Sequence, residues 1–162
     1  MEDKQILDKA FYLFSIGKFN ESEIIMRDLI KSNPIIADYH SKLGLILLKL
    51  GRFKEAEQST LKALELQPDL EKACLNLLLI LESQGKYDEA INQADYFLRK
   101  NPTSLKVPHF LARIYLDIGK INKAELTIKK LILKEPSLML PTIILGKILD
   151  KKANLNANIF EF

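Results

Sequence analysis

Apolar residues gather into stretches of helical length, such as Leu43 to Leu50, and these stretches run up to glycines. The glycines are periodic. Gly17, Gly51, Gly85 and Gly119 stand 34 residues apart, and Pro34, Pro68, Pro102 and Pro136 keep the same step, each 17 residues after a glycine. Gly44 and Gly146 are separated by three such periods, so every glycine of the chain is in register. Repetition at this spacing predicts an array of helical hairpins.

The punctuation explains one unit. A glycine just past a helix end takes the left-handed conformation without steric penalty. A basic and a bulky apolar residue follow each time: Lys18-Phe19, Arg52-Phe53, Lys86-Tyr87 and Lys120-Ile121. Asn20, Asp88 and Asn122 are then expected as N-caps of a second helix, with Asn20/Glu23 and Asn122/Glu125 as capping boxes. Proline, which has no N–H and disfavours helix in the residue before it, ends that helix. One period is therefore helix A, tight turn, helix B, turn. The expected hairpins are 3–36, 37–70, 71–104 and 105–138, followed by a capping or partial fifth repeat, 139–151, and a tail, 152–162.

Positions within the unit repeat too. With Asp3 as position 1, position 8 holds Ala10, Gly44, Leu78, Ala112 and Gly146, and position 20 holds Ser22, Ala56, Ala90 and Ala124. Small residues there let helices A and B approach closely. Leu43, Leu77, Leu111 and Leu145 fill position 7.

With these residues the sequence resembles the tetratricopeptide repeat family. Segments 37–70 and 71–104 match best, through Leu43-Gly44, Ala56, Ala63 and Pro68, then Leu77, Ala90 and Pro102. The resemblance covers about residues 3–151. It departs in having no tryptophan, in Ile6, His40, Cys74 and Pro108 at position 4, and in Lys9 where leucine is expected. Pro108 and Pro141 fall out of register and are expected in the first turn of an A helix, where no N–H bond is lost. The resemblance implies an all-α fold, a right-handed superhelix (solenoid) of stacked antiparallel helix hairpins with four units plus a C-terminal helix in one domain, 3–151.

The resemblance also implies that the A helices line a concave groove through positions 2, 5, 6, 9, 12 and 13. Carried onto this sequence, the groove holds Leu7, Phe11, Phe14, Leu45, Leu48, Lys72, Leu75, Asn76 and Leu79 in the first three hairpins. The fourth adds Lys106, His109, Phe110 and Arg113. The helix around Cys74 to Leu81 is apolar almost all round, and such a helix is normally covered on every side. A groove of this kind suits an apolar or amphipathic polypeptide segment with its acidic end toward Lys106 and Arg113. The family's carboxylate clamp is not expected, because Ser41, Leu45 and Phe110 occupy three of its positions.

Composition removes other classes. Net charge is +3, from 24 basic and 21 acidic residues spread along the chain, which gives little counterion-release energy for nucleic acid. The apolar runs are far shorter than the ~20 residues of a membrane helix, so no membrane insertion is expected and the protein reads as soluble and cytoplasmic. The single cysteine excludes an internal disulfide framework. His40 and His109 lie 69 residues apart with no metal-spaced cluster around them, and no phosphate loop or convergent acid–base set occurs. No catalytic residue, metal or cofactor is expected, and the chain is not read as an enzyme.

The leading function is thus a non-catalytic scaffold whose partner is a protein or peptide. Alternatives are a dimerising chaperone resembling the small tetratricopeptide chaperones of secretion systems, and an accessory domain serving a separate transferase. The last helix carries Leu140, Ile143 and Ile144 beyond its core set, and the tail ends Ile159-Phe160-Glu161-Phe162. Three roles are open to this end of the chain: a degenerate fifth hairpin, a homodimer contact, or a tail folded into the groove.

Overall fold

The structure is a computed structural model that describes the backbone of residues 2–137 and 139–159, with side chains over 4–137 and 139–154. Among the described residues all regular structure is helical: α1 (Glu2–Ser15), α2 (Phe19–Ser32), α3 (Ala37–Lys49), α4 (Phe53–Leu66), α5 (Glu71–Ser83), α6 (Tyr87–Lys100), α7 (Lys106–Asp117), α8 (Ile121–Lys134) and α9 (Met139–Ile159). The chain divides into two compact units, Met1–Gln93 and Ala94–Phe162, and the division falls inside α6.

The tight turns follow from the spaced glycines. Gly17, Gly51, Gly85 and Gly119 have φ of 79°, 73°, 71° and 74°, and no other described residue has positive φ. Around Gly17 the Lys18 N–H donates to the Leu13 carbonyl at 2.9 Å and the Gly17 N–H to the Phe14 carbonyl at 3.1 Å. The same pair of bonds recurs at Gly51, Gly85 and Gly119, so the last carbonyls of each A helix are satisfied by the turn itself.

This turn overturns the expected N-caps. Each B helix begins directly after the basic residue, at Phe19, Phe53, Tyr87 and Ile121, so Asn20, Asp88 and Asn122 are its second residues. Lys18 and Lys120 hold the cap positions of α2 and α8 and make no side-chain cap bond. The reason is geometric: the left-handed glycine leaves no room for an extended capping residue between the helices. Glu23 and Glu125, released from capping boxes, serve in ion pairs instead. The Arg52 guanidinium donates to both Glu23 oxygens at 2.8 and 2.7 Å, and Lys152 reaches Glu125 at 2.9 Å. Pro108 and Pro141 are the third residues of α7 and α9, in their first turns.

In the first unit the core runs between hairpins. Ala10, Met26, Leu29, Tyr39, Leu43, Ile46, Leu47, Ala56 and Ile80 form one buried cluster. The small residues set the hairpin spacing: Ser22 and Ala56 are fully buried, and the Ser22 hydroxyl donates to the Ala10 carbonyl at 2.8 Å. Gly44 lies so close to α4 that a β-carbon there would stand 3.0 Å from the Ala56 carbonyl oxygen and overlap the Thr60 hydroxyl.

In the second unit Phe97, Val107, Leu111, Ala112, Ile114, Ala124, Ile128, Leu131 and Ile148 are buried. Here α9 packs on α8. It continues to Ile159, past the expected end at residue 151, because the fifth period has Ala153 where the others have the turn glycine. Phe160, Glu161 and Phe162 of the expected tail lie outside the described residues.

Candidate functional site

In the first unit the A helices α1, α3 and α5 sort their residues by register. Leu43, Ile46 and Leu47 of α3 and Leu77, Leu78, Ile80 and Leu81 of α5 are buried. Between them Leu45, Leu48, Leu75 and Leu79 are half-buried, as are Leu7 and Phe14 of α1, while Phe11 is 38% exposed and Lys72 is exposed. A helix presents such a stripe when part of its apolar circumference is left over after both neighbouring helices are packed.

Three of these residues meet. Phe11, Phe14 and Leu45 share a shallow apolar dimple of ≈ 10 Å³ with Ala10, Ser22, Met26, Lys42 and Ile46. The Phe14 ring stacks edge-on against Phe19, with centroids 5.3 Å apart, which fixes its rotamer. Lys42 was not among the residues expected here. Its ammonium sits 4.7 Å from the centre of the Phe11 ring and pairs with Asp38 one turn earlier on α3. The signal that finds it is register, since Lys42 holds position 6, the position of Asn76 and Phe110.

Asn76 has a structural tie. Its amide donates to the Ser41 hydroxyl at 3.0 Å and to the Ser41 carbonyl at 3.1 Å, joining α5 to α3. Those two bonds orient the side chain and explain how a buried serine hydroxyl, Ser41, is accommodated.

The second unit holds the remaining expected residues on α7. Lys106 and Arg113 are exposed, and His109 and Phe110 are half-buried. The Arg113 guanidinium stacks 4.3 Å above the Phe110 ring. Burial, and then the nearby Arg113 charge, holds the His109 pKa below its ordinary value, so the imidazole is neutral near pH 7. This cluster offers fixed positive charge beside a flat apolar ring.

Other features carry packing more than chemistry. A larger cavity in the first unit, ≈ 400 Å³, lies on its B-helix side among Arg27, Ile30, Lys31, His40, Leu43, Leu47, Glu55, Gln58 and Ser59. Its charged residues are engaged: Arg27 with Glu23 and Glu55, and Lys31 with Asp28. His40 Nε2 lies 2.8 Å from the Pro34 carbonyl oxygen. Cys74 is buried, and burial, with a smaller contribution from Glu71, pushes its thiol up to about 12, far from the thiolate a nucleophile needs. Among the described residues no three His, Cys, Asp or Glu side chains are grouped to hold a metal, and no helix is long and apolar enough to cross a membrane.

Family models described as tetratricopeptide repeat match residues 37–70 and 81–137. Mouse Superkiller complex protein 3 is 24% identical over 115 residues, which is 71% of this chain but 7% of that much longer protein. Among solved structures, pilF of Pseudomonas aeruginosa superposes with a TM-score of 0.77 at 18% identity, covering 94% of this chain and 69% of that one. A tetratricopeptide repeat protein from Parabacteroides merdae gives 0.73 at 23% identity, covering 91% and 58%. At such identities the likeness is one of fold, an all-α solenoid of helical repeats.

Proposed function

Because the chain belongs to the tetratricopeptide repeat family, we propose that it is a non-catalytic protein–protein interaction scaffold that holds an apolar or amphipathic polypeptide segment on the A-helix face of its first unit. The observation that carries this reading is the half-buried ladder of Leu7, Phe14, Leu45, Leu48, Leu75 and Leu79, with Phe11 beside it. Phe11, Phe14 and Leu45 of this stripe meet in one apolar dimple, and partly exposed apolar residues gathered in this way are characteristic of interaction sites. Docked segments of this class present anchors one helical turn apart, and main-chain polar groups stay at the rim. Lys72 supplies an exposed cation beside the apolar ladder, where Lys42 is paired with Asp38 and Asn76 is tied to Ser41. On the second unit, the Arg113–Phe110 stack with Lys106 favours acidic and aromatic groups by charge complementarity.

The test is selection from a random peptide display library against the wild type and a Leu45→Glu/Leu79→Glu variant. Enriched peptides should carry aliphatic or aromatic anchors at helical spacing and should not bind the variant, whose helicity by circular dichroism stays at the wild-type level. Equal binding by a folded variant would remove this face as the site. An unfolded variant would show that Leu45 and Leu79 belong to the core.

A further inference from the structure

Among the described residues the terminal helix α9 has one buried side and one exposed side. It packs on α8 and buries Pro141 and Ile148. On the opposite side Met139, Thr142, Gly146, Leu149 and Ala153 follow one another at steps of three and four, with Ile143 beside them. Met139 is 77% exposed, Ile143 51% and Leu149 45%. In α3 the positions three periods earlier face a B helix: Gly44 abuts Ala56 and Thr60 of α4, and Leu47 is buried. Gly146, in the same register as Gly44, has nothing within 4 Å of its missing β-carbon. Within the described residues the chain does not supply the absent helix, since Ala153 stands in the turn position and α9 runs on to Ile159.

We propose that this face is a self-association site, occupied by α9 of a second copy packed antiparallel about a two-fold axis. Apolar and small residues at alternating steps of three and four form the seam of a helix pair, so the fitting occupant is a helix. The seam is also complementary to itself. Gly146 leaves a gap and Leu149, one turn on, is a knob. An antiparallel pairing sets each Leu149 into the partner's Gly146 gap and places Thr142 across from the partner's Ala153. A parallel pairing stacks gap on gap and knob on knob. Only the antiparallel arrangement fills the space. The same patch then serves both copies, as a closed two-fold dimer requires. The site is remote from the peptide-binding reading of the first unit and stands without it.

One helix pair is a small interface, so the dimer forms with rising concentration and is not obligate. In sedimentation velocity the mass should rise from 18.6 kDa at low concentration toward twice that value. Ile143→Lys/Leu149→Lys should weaken the dimer at least tenfold. Gly146→Leu should do the same while the protomer stays folded, because nothing lies within 4 Å of the added β-carbon in the single copy and the side chain fills the gap the partner's Leu149 needs. Orientation is read by oxidising an equimolar mixture of Thr142→Cys and Ala153→Cys proteins. The two should cross-link to each other far more than either does to itself, and the buried Cys74 does not compete. A protein that stays monomeric at millimolar concentration overturns the proposal, as does preferential self-cross-linking of each variant. So does a monomer whose α9 face instead binds a peptide copy of α4.

Discussion

Gly44 and Gly146 occupy the same register position, and the structure assigns them opposite responses to one substitution. In a helix interior alanine is favoured over glycine by roughly 0.5–1 kcal/mol, because glycine loses more backbone freedom on folding. At Gly146 nothing lies within 4 Å of the new β-carbon, so Gly146→Ala should keep that gain. At Gly44 the β-carbon would overlap the Thr60 hydroxyl and stand 3.0 Å from the Ala56 carbonyl oxygen. Thr60 is fully buried, and its hydroxyl donates to that same carbonyl at 2.8 Å, so rotating it away leaves a buried hydroxyl without its acceptor. Overpacking costs about 1–3 kcal/mol and the orphaned hydroxyl about 1–3 kcal/mol, which outweighs the helix gain. Gly44→Ala should therefore destabilise by roughly 1–5 kcal/mol, and adding Thr60→Ala should recover part of the loss, the carbonyl contact remaining. Urea titrations followed by circular dichroism, on protein dilute enough to be monomeric, read both signs. A neutral or stabilising Gly44→Ala would refute the close approach of α3 to α4, and with it the claim that small residues at positions 8 and 20 set the hairpin spacing.

Two further outcomes follow from burial and charge. Leu78 is fully buried and its neighbour Leu79 half-buried, so Leu78→Ala should cost about 2–5 kcal/mol while Leu79→Ala costs well under half as much, measured by the same titrations. Hydrogen bonds from Lys129 and then Lys152 hold the Glu125 carboxyl at about 2, below its ordinary 4.5, so its contribution is present above pH 4.5 and is lost as pH falls toward 2. Glu125→Gln should melt lower than wild type at pH 7, and the two melting curves should converge near pH 2. A gap that persists undiminished at pH 2 would contradict this assignment.

The repeat architecture was legible because its determinants are local and recur. A left-handed glycine and a terminating proline act within a few residues, and four copies of each in register leave little freedom in where the helices lie. What stayed hidden depends on how local geometry is completed. Asn20 and Asn122 have the side chains of good N-caps, yet the turn bonds made by Lys18 and Lys120 carry the chain into the next helix before a cap can form. The loss of one glycine at Ala153 lengthens α9, an effect visible only against the other four periods. Contacts between hairpins were hidden for a different reason: Glu23 meets Arg52 and Glu57 meets Lys86 across 29 residues, a spacing that becomes meaningful only once the hairpins are stacked. For the A-helix face, register located the apolar stripe, but it gave no sign that Asn76 would be tied to Ser41 or that Lys42 would lie over Phe11.

The central claim, that the first unit holds a polypeptide on its A-helix face, is tested most directly by titrating an enriched peptide into isotope-labelled protein and following the backbone amide resonances. Shifts should cluster at Leu7, Phe11, Phe14, Leu45, Leu48, Leu75 and Leu79 and leave the B helices quiet. Shifts concentrated instead around Arg27, His40 and Gln58, at the cavity on the B-helix side, would contradict it.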